Sequence, residues 1–224
     1  MKNQNKFETI PIQTATPSTP LKRPKRADAI ANRALILETA QHLFAQNGID
    51  EVCMAAIAEA AGIGKGTLYR AFTNKGDLCL ALMDEDMRLF QNKILQMLAE
   101  GADQPPLKRL DVFLDQLTHF LAFHAPLLRE VQRQGGLLLA GYATDNSAPH
   151  LWLPWLRETI MLLLQQAEQQ GEAADLDIPY LADAILAPLN PDIFMYQREV
   201  LGFDIERISR GVRRLVLSGC RGVS

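Results

Sequence analysis

The chain has few cysteines, and they lie far apart. Cys53, Cys79 and Cys220 form no C-x-x-C pair in the 224 residues, so we expect neither a disulfide framework nor a zinc site. No run of about 18 uncharged apolar residues occurs, and residues 1–10 lack the apolar core of a secretory signal. These absences predict a protein of the reducing cytoplasm that does not cross a membrane.

The sequence also lacks the groupings that catalysis and metal binding need. None of its four histidines has a partner at ligand spacing, and no pair of nucleophile and base, or of carboxylates, stands out. Gly64 and Lys65 suggest a phosphate-binding loop, but Gly66 stands where that motif has Ser or Thr. We therefore expect no enzyme, no metal and no cofactor.

No segment alternates apolar and polar residues as a half-buried strand does. Apolar residues recur at intervals of three and four instead, and Gly, Pro and Asn separate the periodic segments. The pattern predicts an all-α fold of about nine helices. Their approximate ranges are 28–47, 54–60, 65–71, 75–99, 107–124, 126–135, 150–171, 178–190 and 204–220.

The net charge of −3 hides an uneven distribution. Residues 1–75 have ten basic and six acidic side chains, whereas residues 76–224 have thirteen and twenty, so only the N-terminal part suits a polyanion. It includes the cluster KRPKR at 22–26, which follows a stretch rich in Pro and Thr. We predict that residues 1–27 are a disordered basic arm. Arg26 is then either simply solvated or able to lie in a DNA minor groove.

The segment at about 53–72 has the organisation of a helix-turn-helix motif. A short helix at 54–60 is followed by an Ala-Gly turn and a second short helix at 65–71. The bare, basic start of the second helix suits the close approach of a phosphate, while Leu68 and Phe72 are expected to pack inward. The candidate DNA contacts are Gly64, Lys65, Gly66, Thr67, Tyr69, Arg70 and Lys75, with Arg26 from the arm.

Residues 57–78, "IAEAAGIGKGTLYRAFTNKGDL", resemble the N-terminal domain of TetR-family transcription regulators. The pattern R..IL..A..LF...G over residues 33–48 is also similar to that family. Cys53 and Gly64 depart from it, because they stand where the family often has hydroxyl side chains that cap helices. By this resemblance, four candidate positions fall where the family contacts DNA: Lys65, Thr67, Tyr69 and Lys75.

The resemblance implies a DNA-binding domain at 28–90 and a helical domain at 91–224 that dimerises and usually binds a small ligand. "IMLLL" at 160–164 is apolar nearly all round, which suits a subunit interface. Several large apolar residues at helical spacing could be either core or the wall of a ligand pocket. They are Phe113, Leu117, Phe120, Trp152 and Trp155.

These expectations combine into a ligand-responsive homodimeric repressor that binds a pseudo-palindromic site in double-stranded DNA through the helix at 65–71. Its effector would be a small apolar or amphipathic molecule, and the long helix that starts at Lys75 would link the two domains. The alternative is a protein-interaction module whose helix-turn-helix head no longer binds DNA. Steep salt dependence of DNA binding would separate the two.

Overall fold

A computed structural model describes residues 23–134 and 152–220, and of residues 23–26 and Trp152 it describes the backbone only. The described residues form nine α-helices and no strand, so the all-α prediction is confirmed. None of these helices has the length and apolar character that crossing a membrane requires. The helices are α1 Arg23–Asn47, α2 Met54–Ala60, α3 Lys65–Ala71, α4 Lys75–Glu100, α5 Pro106–Arg133, α6 Trp152–Gln169, α7 Ile178–Leu186, α8 Pro191–Met195 and α9 Ile205–Cys220, with a 3-10 turn at Ala187–Leu189 and a π-helical segment at Tyr196–Val200.

The ends of α1 and α2 and the start of α4 follow from local signals, and the structure confirms them. Gly48 and Gly62 adopt φ of +82° and +65° just after α1 and α2, a conformation that glycine reaches without a steric penalty. At the start of α4 the Asn74 side chain accepts a hydrogen bond from the Asp77 N–H at 2.9 Å. The Asp77 carboxylate in turn accepts one from the Thr73 N–H at 3.1 Å, which is a variant of the capping box.

Several predicted boundaries are wrong, including the end of the helix expected at 178–190, which lies at Leu186. Helix α1 begins at Arg23 rather than at residue 28, because Pro24 lies in the first turn, where a helix needs no N–H donor. Helix α5 runs unbroken through Pro126, although the sequence indicated a new helix there. Ala125 and Leu128 on either side of the proline are buried in the core, and this packing outweighs the one backbone hydrogen bond that the proline removes.

Two groups of buried side chains organise the molecule. The head core joins α1 to α3 with the start of α4, and the body core fills the space between α4 and α9. The groups meet at the end of α5, where Val131 belongs to the head core and Leu127 packs against both. The head core comprises Ile36, Ala40, Phe44, Val52, Met54, Ile57, Ala58, Leu68, Phe72, Leu78, Cys79 and Val131.

The apolar segment at 160–164 does not form the surface that the sequence indicated. Ile160, Leu163 and Leu164 are fully buried within the body core, Met161 is half-buried, and Leu162 is exposed. A helix that is apolar nearly all round is therefore covered on most sides by its own chain. The prediction that this segment forms a subunit interface is wrong for all but its exposed edge.

A polar contact fastens α9 to α5 beside the body core. The Arg213 guanidinium donates two hydrogen bonds to the Asp111 carboxylate, at 2.6 and 3.0 Å, and one to Asp115 at 2.9 Å. The Ser209 hydroxyl donates to the same Asp115 oxygen at 2.7 Å. The bidentate geometry makes this a strong pair, and the hydrogen bonds from Arg213 lower the pKa of Asp111.

We expect Arg213→Met to lower the free energy of unfolding by about 1–3 kcal/mol, less than for a fully buried pair because Arg213 is partly exposed. Since the pKa of Asp111 is lowered on folding, the stabilisation is complete above the ordinary aspartate range and disappears as the pH falls through the lowered pKa. Urea unfolding at several pH values measures the difference in the free energy of unfolding between Arg213→Met and the wild-type protein. Arg210→Met, on the exposed side of α9, is the control, and a loss that does not shrink in acid would contradict the assignment.

Candidate nucleic-acid interface

Helix α3 divides cleanly into an inner and an outer side. Leu68 is fully buried, and Phe72, which follows the helix, is buried beside it in the head core, as the sequence predicts. Lys65 and Arg70 are exposed, and Tyr69 is 52% exposed despite its large ring. The outer side thus presents two cations and a phenol hydroxyl, which are common donors to phosphate oxygens.

The start of α3 has no side chains over its backbone. Gly64 occupies the cap position with φ of −68° and no side-chain hydrogen bond, and a Cβ at Gly64 or Gly66 would meet nothing within 4 Å. The fold therefore does not need glycine at either position for conformation or for internal packing. What the glycines provide is access to the backbone N–H groups from outside, which suits an anion.

Arg70 and Thr67 lie together on the same side of α3. The Arg70 Nε donates to the Gly66 carbonyl at 3.0 Å, and its terminal nitrogen donates to the Thr67 hydroxyl at 3.2 Å. Both contacts are exposed to solvent, so exchanging them for bonds to a phosphate costs little. The structure therefore brings these two candidate contacts together with Lys65 and Tyr69 on one short helix.

Arg33 on α1 fixes the other end of α3, a role that the sequence analysis missed. Its guanidinium carbon lies 4.4 Å from the centroid of the Phe72 ring, and one terminal nitrogen donates to the Ala71 carbonyl at 3.3 Å. A cation at this end also complements the helix dipole. The only available signal was the position of Arg33 at the start of the pattern over residues 33–48.

Lys75 does not present its ammonium group to the outside. The group donates to the Ile49 carbonyl at 2.8 Å and to the Val52 carbonyl at 3.1 Å. It also lies 3.6 Å from the Glu130 carboxylate on α5. These three partners hold the side chain inside the molecule, so a DNA contact at Lys75 would come from the backbone N–H groups at the start of α4 and not from its ammonium group.

The end of α5 lies directly against the head around this lysine. The Glu130 side chain is 3% exposed and also accepts a hydrogen bond from the Gln134 amide at 2.8 Å. Arg133 forms an ion pair with Asp50 in the loop after α1. A Cβ placed on Gly76 would lie 3.1 Å from that of Gln134. We call this contact region, formed by residues 49–52, 75–76 and 130–134, the head–body junction.

The two cysteines of the head differ in their chemistry. Cys53 is exposed at the start of α2, where the nearby backbone N–H groups, that of Ala56 first, lower the pKa of its thiol. Cys79 is buried in the head core, and burial raises the pKa of its thiol to about 12. Only Cys53 is therefore accessible to thiol chemistry among the two.

In the body, three of the residues predicted to line a ligand site meet in one aromatic cluster, which also contains Phe90. Phe90 stacks on Phe120 with centroids 4.4 Å apart, and its ring meets that of Trp155 at 6.2 Å, edge to face. Trp155 also contacts Phe113 at 6.3 Å. Leu117 is fully buried in the same core, whereas the Trp152 side chain lies outside the described residues.

The aromatic cluster thus spans α4, α5 and α6. Phe90 was missed because the sequence offers it only as one more apolar position on a long helix. Across residues 23–134 and 152–220, no three His, Cys, Asp or Glu side chains are grouped as metal binding would require.

The sequence is similar to known regulators of transcription. The family described as "Bacterial regulatory proteins, tetR family" matches residues 36–82. An HTH-type transcriptional regulator of Staphylococcus aureus strain MRSA252 is 31% identical over 156 residues, which are 69% of this chain and 77% of that protein. Another, from S. aureus strain bovine RF122 / ET3-1, is 37% identical over 108 residues, and these span 48% of this chain and 57% of that protein.

Two solved structures are similar to the whole arrangement of helices. Thermus thermophilus FadR, a TetR-family transcriptional repressor in complex with lauroyl-CoA, has a TM-score of 0.60 at 20% identity, with 86% of this chain and 96% of that chain covered. RolR in complex with resorcinol has a TM-score of 0.55 at 23% identity, with 87% and 90% covered. At such identities the likeness establishes the fold.

Sequence and structure therefore agree on the head. The family match begins at Ile36 in α1 and ends at Leu82 in α4, so it includes all of α2 and α3 with their exposed polar side. The first S. aureus relative extends the similarity over most of both proteins. The chain belongs to the tetR family of bacterial regulatory proteins.

Proposed function

We propose that this regulator is a ligand-responsive homodimeric repressor of the cytoplasm, without catalytic activity, that binds a pseudo-palindromic operator through α3. The observation that carries the proposal is the outer side of α3, where polar and cationic groups lie exposed while the apolar residues of the same helix are buried. A second head related by two-fold symmetry would read the other half-site. The alternative, a head that binds protein instead of DNA, predicts no steep dependence on salt.

The proposed DNA contacts follow the structure of the head. Lys65 and Arg70 would neutralise phosphates, and the hydroxyls of Thr67 and Tyr69 would fix the register of the helix. The N–H groups at the bare start of α3 add further donors, which leaves Gly64 and Gly66 as close-approach positions. Arg26 remains a proposed contact, now from the first turn of α1 rather than from a flexible arm. The side chain of Lys75 is excluded from the set.

An effector would act on the head through the head–body junction. The body core surrounds the aromatic cluster, and the end of α5 joins that core to the head through Val131, Glu130 and the ion pair of Arg133. A molecule that favours one position of α5 over another would therefore shift the loop at 49–52 and the start of α4. This assigns α5 a share in the coupling that the sequence attributed to the long helix α4 alone.

The proposed effector is a small molecule that is largely apolar. The aromatic cluster brings apolar rings of three helices together, and ligand sites are usually lined by such residues. FadR is bound to lauroyl-CoA and RolR to resorcinol, so this fold accommodates both an acyl chain and an aromatic ring.

A homodimer is supported by exposed apolar side chains in the second half of the body. Ile193, Tyr196 and Val200 recur three and four residues apart along α8 and the π-helical segment, and all are exposed. A surface of this kind is costly in water unless another molecule covers it. We therefore propose this helical surface as part of the contact between the two copies.

Replacing Lys65 tests DNA binding. We expect Lys65→Met to weaken binding to DNA that the wild-type protein selects from a random pool, and to reduce the slope of log affinity against log salt by about one, because one phosphate contact is lost. Fluorescence anisotropy over a salt series measures both quantities. Lys93→Met, an exposed lysine in the middle of α4, is the matched control. Equal affinity and slope for Lys65→Met and wild type would contradict the assignment.

Replacing Lys75 tests the junction. Lys75→Met leaves the buried Glu130 carboxylate with only the more exposed Arg133 guanidinium, 3.6 Å away, as a cation, so we expect the free energy of unfolding to fall by about 1–3 kcal/mol. Adding Glu130→Leu should restore part of the loss, because the poorly paired buried charge is then removed as well. Urea unfolding at fixed protein concentration measures both variants. Lys65→Met should stay within about 0.5 kcal/mol of wild type; an equal loss there would show that the effect is not specific to Lys75.

Introducing a charge tests the proposed dimer contact. Val200 is 68% exposed in the single chain, so Val200→Glu should leave the fold intact but place a carboxylate inside the interface, which is costly. We expect dimer dissociation to rise at least about tenfold, equivalent to about 1.4 kcal/mol, in sedimentation equilibrium. Leu95→Glu, at a residue 54% exposed on α4, is the control. Unchanged association of Val200→Glu would place the interface elsewhere.

A further inference from the structure

His124 on α5 is a buried polar residue that the functions above do not use. The residue is 2% exposed, and its Nδ1 atom has no hydrogen-bond partner among the described residues. Most buried polar side-chain atoms in proteins have such a partner, because leaving one unpaired is costly. The unpaired nitrogen therefore requires an explanation beyond packing, which a phenylalanine or leucine would provide at less cost.

The imidazole ring extends the aromatic cluster. Its centroid lies 4.5 Å from that of Phe120 and 4.9 Å from that of Phe123, whose ring is nearly perpendicular to the imidazole. Phe120 stacks on Phe90, which in turn contacts Trp155. His124 thus adds one polar group to a cluster otherwise made of apolar rings, which is the composition typical of sites for small molecules.

The protonation state of His124 follows from its burial and from the carboxylate beside it. Burial lowers the pKa of the imidazole, which the Asp86 carboxylate only partly opposes, so the ring is neutral at neutral pH. That carboxylate lies 3.6 Å from Nε2 and favours the tautomer whose proton is on Nε2. Nδ1 then has a free lone pair and can only accept a hydrogen bond.

We propose that Nδ1 of His124 accepts a hydrogen bond from a hydroxyl group of the effector, whose apolar part packs against the aromatic cluster. The inference rests on the proposed ligand response and specifies its chemistry as a neutral alcohol or phenol. A carboxylate would bring an unpaired charge against a hydrogen-bond acceptor, and an ether offers no proton to donate. The single acceptor thereby selects among apolar molecules of similar shape.

Matched probes test the selection directly. We would titrate the full-length protein with p-cresol and 1-octanol, with the methyl ether of each, and with p-toluate and octanoate, following the fluorescence of Trp155 and Trp152. We expect at least one hydroxyl probe to bind about tenfold or more tightly than its ether and its carboxylate. The aromatic and aliphatic members distinguish the two possible sources of the hydroxyl.

Two variants assign the effect to the histidine. His124→Phe keeps an aromatic ring but has no acceptor, so we expect the hydroxyl and ether probes to bind it equally. Asp86→Asn keeps the imidazole ring but removes the carboxylate that favours the proton on Nε2. The preference for the hydroxyl probe should therefore shrink without disappearing. His42→Gln, at an exposed residue of α1, should keep the full preference.

Nuclear magnetic resonance of wild-type protein labelled with ¹⁵N in its histidines provides a measurement that needs no variant. The Nδ1 resonance of one buried, neutral histidine should shift when the hydroxyl probe binds and stay in place with the ether. If His124→Phe does not fold, this experiment alone decides whether the histidine contacts the hydroxyl group.

The results that would overturn the inference are specific. The first two are equal binding of the hydroxyl and ether probes and an unchanged preference for the hydroxyl in a folded His124→Phe variant. The other two are an Nδ1 resonance that does not shift when the hydroxyl probe binds and a wild-type protein that binds none of the six probes. Each leaves the DNA-binding proposal standing if salt-dependent operator binding is intact. If the wild-type protein does not bind operator DNA, the proposed function is overturned, whichever probes bind.

Discussion

The ammonium group of Lys75 is the contact on which the position of the head depends. It joins three parts of the chain that are distant in sequence, because its partners are the carbonyls of Ile49 and Val52 and the carboxylate of Glu130. The loop at 49–52 leads into α2, and Lys75 itself begins α4, so α3 lies between two segments that this one group holds. A buried ion pair with additional hydrogen bonds fixes a geometry even where its net contribution to stability is small.

Two lysines of the head therefore have opposite tasks although they are close in sequence. Lys65 lies on the outer side of α3 with its charge in solvent, and Lys75 has its charge turned inward. Their sequence contexts are similar, since each stands at the first position of a helix and beside a glycine. The difference arises because the end of α5 brings Glu130 to one lysine and nothing comparable to the other.

The sequence predicted those features that depend on neighbours within a few residues. The bounds of α2 and α3 follow from the turns at Gly62 and Asn74, and the burial of Leu68 and Phe72 follows from their spacing. The outer candidates on α3 were found in the same way. Such signals are local, so they are visible without knowledge of the fold.

What the sequence could not predict depends on contacts between distant segments. Pro126 is a sound local signal for a helix end, but tertiary packing of Ala125 and Leu128 overrides it. The role of Lys75 likewise depends on residues that are distant in sequence. The unpaired nitrogen of His124 can also be recognised only when the neighbouring helices are known. The nine helices agree in number with the prediction only because the fusion at Pro126 is offset by α8, which the sequence did not predict.

The proposed effector contact and the junction lie on the same helix, and the proline lies between them. His124 comes before Pro126 in α5, and Glu130 follows it at a distance of less than two turns. Proline removes the hydrogen bond that this position would donate to the carbonyl of Ala122, so the helix bends more easily here than elsewhere. In the proposed function, a ligand that holds His124 would therefore displace the end of α5 relative to its beginning. Because Glu130 contacts Lys75, that displacement would reach the segments on both sides of α3, which gives the proposed ligand response a physical route through a single helix.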